Sequence, residues 1–329
     1  MALAAAFASF TLPHAAAQEA TQPVTTASQW ITLGTHGGPV PHPDRAEPSN
    51  LLLTGDEVYL VDAGDGAANQ MARVGLPLAR LNGVFISHLH FDHTGGLGAV
   101  LGPRFQTEAP NVLTVYGPPG TRELVDGLIA SMRPGGVAGY GVPGEEIHDP
   151  SVGMEVVEWR GGETATVGSM TVRNVENTHY SFPPHSPQFG KYASLSFRFD
   201  LADRSILYTG DTAPSTAVDT LGEGVDLIVA EMIDLDGLLS AMGPARGDSA
   251  GGPLPILIEH LRAYHITPEQ IGEMAGAMDA GEVVVSHLVI GNAGRQEWRR
   301  YEAEIGLHYD GPVTIAQDLD RFQTAKQRR

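Results

Sequence analysis

"SHLHFDHTGG" (87–96) places three histidines and an aspartate within six positions, His88 to His93, directly after the apolar run "GVFI" (83–86) and before a glycine pair. The apolar run reads as a buried strand, so the polar cluster stands where the chain leaves a sheet. Imidazoles gathered at such a place lose solvation, and a cation is what makes the arrangement favourable. The chain contains no cysteine, so the donors open to a metal are imidazole nitrogen and carboxylate oxygen.

Ligands for one ion rarely all come from one loop, and three other strand ends carry candidates. "VENTHY" (175–180) carries His179, "LYTGD" (207–211) Asp211 and "VVVSH" (283–287) His287. Each residue alone reads as an ordinary turn or surface group. Together with HxHxDH they predict side chains converging on one edge of a sheet. His185 is a rival to His179, which is preferred because it directly follows its strand.

Around these points the chain alternates strands and helices. "NLLLTGDEVYLVDAG" (50–64) reads as two strands joined at Thr54–Asp56, "AANQMARVG" (67–75) as a short helix capped by Gly75, and "NVLTVYG" (111–117) as a strand. "TRELVDGLIASM" (121–132) reads as a helix with Thr121 as N-cap, residues 133–160 as an irregular Gly- and Pro-rich insertion, and 234–253 as a loose stretch. Helices are expected over 254–263, 268–279 and 296–305, with "VTIA" (313–316) as the last strand. Both halves run strands first and helices afterwards. That order predicts an α/β fold of four layers, α/β/β/α, with two sheets face to face.

Bulk properties bound the rest. The formal net charge is −19, and the only lysines are Lys191 and Lys326. Residues 133–160 hold two arginines against five acidic groups. Because nucleic-acid binding draws on clustered Lys and Arg, this balance argues against RNA or DNA as partner. Residues 1–17 read as a secretory signal peptide, with Ala15-Ala16-Ala17 as cleavage pattern before Gln18, and 18–29 as a linker to a domain over 30–329. A periplasmic or secreted protein is therefore expected. No stretch is apolar for long enough to span a membrane. The oligomeric state is open, a homodimer included.

The order HxHxDH, His, Asp, His resembles the metallo-β-lactamase superfamily over nearly the whole chain after residue 30. The resemblance implies that His88, His90 and His179 hold one metal, that Asp92, His93 and His287 hold a second, and that Asp211 bridges them. Two zinc ions are implied, with manganese or iron compatible. Such a pair can share a hydroxide and polarise the bond it attacks, which implies hydrolysis of an ester-type bond. The β-lactamases proper lack the bridging aspartate, and several use a cysteine, so Asp211 and the absence of Cys set this chain apart from them.

"AYHITPEQIGEMAGAMDAGEVVVSH" (263–287) resembles the ribonuclease Z and arylsulfatase branch, as does the glycine-rich "LGTHGGPVPHPDRAEPSNLLL" (33–53). Thr267, Pro268 and Gln270 form a capping-box signature that would fix His265 just outside a helix. In this branch a glutamate from the strand "LIVAE" (227–231) pairs with that histidine, and Glu231 occupies the position. The catalytic residues implied are His265 as proton donor, Glu231 and Asp92. His36 and His42 read as loop residues lining the cleft. With the acidic charge and the leader, the expectation is an exported hydrolase of a small ester or ring: a sulfate or phosphate ester, a lactone or a lactam. The alternatives are a ribonuclease Z-like phosphodiesterase acting on RNA and a non-catalytic metal-binding module.

Overall fold

The computed structural model describes residues 27–38, 40–242, 254–291 and 295–323. The predicted leader, 1–17, and most of the predicted linker lie outside the described residues. Two seven-stranded sheets form the centre. The first runs β14 (Asp320–Phe322), β1 (Gln29–Gly34), β2 (Ser49–Thr54), β3 (Glu57–Ala63), β4 (Gly83–Phe85), β5 (Leu113–Gly117) and β6 (Met154–Glu158). The second runs β13 (Val313–Ile315), β12 (Val283–Val289), β11 (Leu227–Ile233), β10 (Ser205–Tyr208), β9 (Leu195–Asp200), β8 (Met170–Glu176) and β7 (Thr164–Val167).

Aromatic side chains from the two inner faces fuse the sheets. Phe85 stacks on Tyr116 at 4.9 Å and meets Phe199 edge-on at 5.2 Å, within a cluster that holds Trp30, Trp159 and Phe197. Truncating such a residue typically costs about 3–5 kcal/mol, so this contact decides whether the sheets stay together. On the outside of the first sheet, Met71 of α1 (Ala67–Arg73), Leu97 and Val100 of α3 (Leu97–Gln106) and Val125 of α4 (Thr121–Ala138) close a second core. On the outside of the other sheet, Val218 of α5 (Thr216–Gly222), Ile271 and Met274 of α8 (Pro268–Ala277) and Tyr301 of α9 (Arg295–Ile305) close a third. The four expected layers are present.

Local readings need correction in four places. Thr121 is the first residue of α4 and not its cap: Gly120 holds that position at φ 101°, and the Thr121 hydroxyl donates to Pro118 O. The stretch 133–160 is not irregular throughout. Its first residues prolong α4 and its last form edge strand β6, because Met154 and Val156 pair with Leu113 and Val115. The stretch expected to be loose opens with α6 (Leu235–Met242), its first turn closed by Asp234, which accepts from Gly237 N; residues 243–253 lie outside the described residues. "VTIA" is not the last strand, since β14 follows it and pairs with β1 at Trp30–Phe322.

β3, β4, β5 and β6 run parallel, as do β10, β11, β12 and β13. Their carboxyl ends therefore open on one edge of the sandwich, where ligands of α/β sheets bind. Two bulges sharpen that edge. In β3 the pairing with β2 slips so that Asp62 is the extra residue, at φ 57°. In β12 it slips opposite Glu231, leaving His287 at φ 51°. A left-handed backbone is uncommon outside glycine, and at a bulge it re-aims one side chain.

Candidate metal centre

Three ring nitrogens meet first. His88 Nε2 and His179 Nε2 each lie 3.0 Å from His90 Nδ1. The hydrogen bonds behind them fix the tautomers. Ser87 Oγ gives its proton to Asp62, so it accepts from His88 Nδ1 at 3.1 Å, and His179 Nδ1 donates to Tyr264 O at 3.0 Å. The Nε2 atoms of both rings then present lone pairs to the same point. His88 and His179 are fully buried, and burial holds both well below the ordinary imidazole pKa; it lowers His90 as well. Neutral rings aiming lone pairs at one another are a donor set for a cation.

The second group is anionic. Asp92 Oδ2 lies 3.6 Å from His93 Nε2 and 3.5 Å from His287 Nε2. Asp211 stands between the two groups: Oδ1 is 3.3 Å from His93 Nε2, while Oδ2 is 3.2 Å from His287 Nε2 and 3.8 Å from His88 Nε2. Burial opposes charge on His93 and His287, but the surrounding carboxylates together outweigh it, Asp211 with Asp92 and Asp62 about His93 and Asp211 with Asp92 about His287, keeping His93 well above its ordinary value and His287 at about 10. The same contacts pull Asp92 and Asp211 below theirs against the opposing effect of burial. Without a cation, protons on the two histidines are what balance the carboxylates. His93 Nε2, both ring nitrogens of His287 and Asp211 Oδ1 are nonetheless buried without a hydrogen bond. Orphaned donors of this kind, in two groups sharing a carboxylate, fit a pair of metal ions.

Residues outside the sequence-predicted set hold this constellation. Asp62 Oδ2 accepts from His93 Nδ1 at 2.8 Å, from Ser87 Oγ at 2.7 Å and from the Tyr208 hydroxyl at 2.7 Å, and Oδ1 accepts from Ser87 N. The available signal was an acidic residue closing the apolar strand "YLVDAG". The glycine-rich turn is packed against the same groups. Gly38 N donates to Asp92 Oδ2 at 2.9 Å, and a Cβ on Gly38 would lie 2.3 Å from that of Asp92. A Cβ on Gly37 would lie 2.9 Å from His287 Cε1. The turn's function is close approach.

His265 is 5% exposed and lies two residues before the N-cap of α8, whose capping box of Thr267 and Gln270 is formed as the sequence predicts. Its Nδ1 donates to Glu231 Oε2 at 2.5 Å, and Glu231 Oε1 accepts from Thr212 N at 2.6 Å. Burial lowers the His265 pKa, but the Glu231 carboxylate more than offsets this, so it stands above its ordinary value. The ring lies 4.9 Å from His179, centre to centre. His185 stands apart at φ 73°, exposed in the loop after Pro184. The His36 and His42 rings lie 4.9 Å apart, tilted at 44°, beside Arg45 and outside the ligand cluster.

Comparison with known proteins places this geometry in a lineage. The model of the Beta-lactamase superfamily domain matches residues 58–288. The ribonuclease Z of Mycobacterium avium (strain 104) is 30% identical over 298 residues, covering 89% of this chain and 97% of that one. The ribonuclease Z of Mycobacterium bovis (strain BCG / Pasteur 1173P2) is 29% identical over 303 residues, 91% and 99% of the two chains. Among solved structures, the metallo-β-lactamase fold protein YhfI from Bacillus subtilis superposes with a TM-score of 0.65 at 19% identity, covering 91% of this chain and all of that one. The short form of human tRNase Z superposes with 0.61 at 18% identity, covering 90% and 98%.

These relatives overturn one expectation. A small ester or ring was expected as partner and nucleic acid was disfavoured, yet the curated relatives carry the name of a ribonuclease over almost their full length. Net charge averages over a whole surface, whereas recognition is decided where the substrate sits, and bound divalent ions would invert the sign of the field there.

Proposed function

The chain belongs to the metallo-β-lactamase superfamily, within its ribonuclease Z branch, and we propose that it is a metal-dependent phosphodiesterase acting on RNA. The observation that supports this most directly is the convergence of seven donors on one strand edge beside the Glu231–His265 pair. His88 Nε2, His90 Nδ1 and His179 Nε2 would hold one ion, and Asp92, His93 and His287 the other, with Asp211 shared. Zinc suits this nitrogen and carboxylate set. When bound, such ions bring the pKa of water toward neutrality and neutralise charge on a phosphoryl oxygen.

The chain's own groups supply the rest. Asp62, Ser87 and the Tyr264 carbonyl lock the ring tautomers of His93, His88 and His179, so these three present a free nitrogen without rearrangement. Gly38 N holds Asp92 Oδ2 in place. Glu231 accepts the hydrogen bond from Nδ1 of His265 and favours the protonated ring, which leaves Nε2 as the atom from which a proton would pass to the departing ribose oxygen. An alkoxide is a poor leaving group, so a buried proton donor is what an RNA phosphodiesterase needs at this position.

The test is cleavage of precursor tRNA and of short single-stranded RNA by the zinc-loaded protein, with Asp211→Ala and chelator controls. Cutting that needs metal and Asp211 supports the reading. RNA left intact by a protein that hydrolyses a lactone or an aryl sulfate overturns it.

A further inference from the structure

Beside the metal centre lies a cavity of about 420 Å³ whose walls are mostly aromatic: Tyr180, Phe182, Tyr192, His260 and Tyr264, with His90 at its inner end. The rings support one another. Tyr180 stacks on His179 at 5.4 Å and 29°, meets His90 edge-on at 5.1 Å, and carries Phe182 at 5.2 Å on its outer side. His260, on α7 (Leu254–Ala263), lies 5.5 Å from His90 and 5.4 Å from Tyr264, closing the opposite wall. None of these rings is needed to build the sandwich core. Each is half-buried, leaving part of its surface at the cavity.

The polar groups around the cavity are as selective. Gln188 lines it, with an amide that can both donate and accept. Lys191, one of only two lysines in a chain of net charge −19, holds its Nζ 4.9 Å from the centre of the ring of Tyr192, which lines the cavity. A cation over an aromatic wall residue, an exposed amide and the candidate metal centre at the inner end match a nucleotide: base, backbone phosphate and scissile linkage in sequence. Single-stranded nucleic acid is held by stacking of unpaired bases on aromatic side chains within a cationic track. The volume falls in the lower part of the range of small-molecule sites, about 300–1,000 Å³, as suits one nucleotide-sized group.

We propose that this cavity is the subsite for one unpaired nucleobase next to the scissile phosphate, stacked between Phe182 and the Tyr264 side of the pocket, with Lys191 pairing with a flanking phosphate. The assignment rests on the phosphodiesterase reading above and refines it.

The experiment uses the zinc-loaded enzyme and short single-stranded RNA with a normal nucleotide, an abasic ribose or 2-aminopurine beside the cleaved linkage. Wild type should bind and cut the abasic strand with a KM about 5- to 150-fold higher, the range expected for one stacked base. Phe182→Ala should raise KM similarly on the normal strand and little on the abasic one, with kcat nearly kept. Phe182→Trp should restore KM. The 2-aminopurine fluorescence should be quenched on mixing with wild type and Phe182→Trp, and far less with Phe182→Ala. Equal KM for normal and abasic strands, or undiminished quenching in Phe182→Ala, overturns the subsite while leaving RNA cleavage standing. If no strand is cut but quenching follows Phe182, the pocket stands and the phosphodiesterase reading falls. A Phe182 effect confined to the aryl group of bis(p-nitrophenyl) phosphate, with none on RNA, assigns the pocket to an aryl ester and overturns the nucleobase.

Discussion

Asp62 and His93 meet at 2.8 Å in the fully buried interior, the carboxylate on a bulge of β3 and the imidazole on the short helix α2 (Phe91–Thr94) that carries the second half of the histidine cluster. Asp62 fixes the proton on Nδ1 and so frees Nε2 toward Asp92 and Asp211. Outer partners of this kind typically contribute about 10- to 100-fold in metal affinity. Asp62→Asn should therefore weaken zinc by about that factor, read by competition with a coloured chelator. Asp62→Ala should also lower thermal stability, because the Tyr208 hydroxyl and Ser87 lose a buried acceptor. Unchanged zinc affinity in both variants would remove Asp62 from the metal centre.

The second prediction concerns occupancy. The purified protein should take up close to two zinc ions per chain, and saturating zinc should raise Tm, since a ligand that binds only the folded state at 100 times its Kd adds about 2.7 kcal/mol. Asp211→Ala should lose one ion or bind both weakly, because its two oxygens face both groups. Metal analysis by mass spectrometry together with calorimetry reads both effects. A protein that binds no zinc while remaining folded would sink the dinuclear assignment.

Gly38 separates the two halves of the site. The Cβ of Gly38→Ala would fall within 2.3 Å of the Asp92 Cβ, so either the turn or Asp92 must move. Asp92 belongs to one ligand group and not to the other. The variant should keep the His88–His90–His179 ion and lose the other, giving a stoichiometry near one, with activity falling more than stability. Two tightly held ions in Gly38→Ala would show that the turn yields instead.

The Glu231–His265 pair gives a pH signature. Glu231 raises the His265 pKa against the effect of burial, so the protonated ring persists to higher pH than an ordinary histidine would. If His265 is the acid, the rate on RNA should fall only as pH rises through that elevated value. Glu231→Gln removes the charge that raises it, and the alkaline limb should move to lower pH. His265→Ala should keep both metals and lose about 10²–10⁴-fold in kcat on RNA, with a much smaller loss on activated aryl phosphodiesters. Equal losses on both substrates would assign His265 to substrate binding.

The residues that converge on the candidate metal centre were legible in the sequence because ligation favours particular residue types at local spacings. HxHxDH after an apolar run, and a His or Asp at the end of each of three further strands, are short-range patterns that need no knowledge of what packs where. The capping box at Thr267 and Gln270 is local in the same sense, and it formed. What the tertiary structure decided is whatever depends on register and on distant partners. Asp62 reaches Tyr208 across 146 positions, and it does so because a bulge turns one side chain inward, which no periodicity announces. The pairing of β14 with β1 brings Phe322 against Trp30, and three residues are too short a run to be read as a strand beforehand. The aromatic cavity draws its walls from the loop after His179 and from the region of α7, so no window of sequence contains it. Net charge, a sum over the whole chain, weighed against nucleic acid, whereas recognition of any substrate depends on the few groups that line one cleft, and only folding selects those.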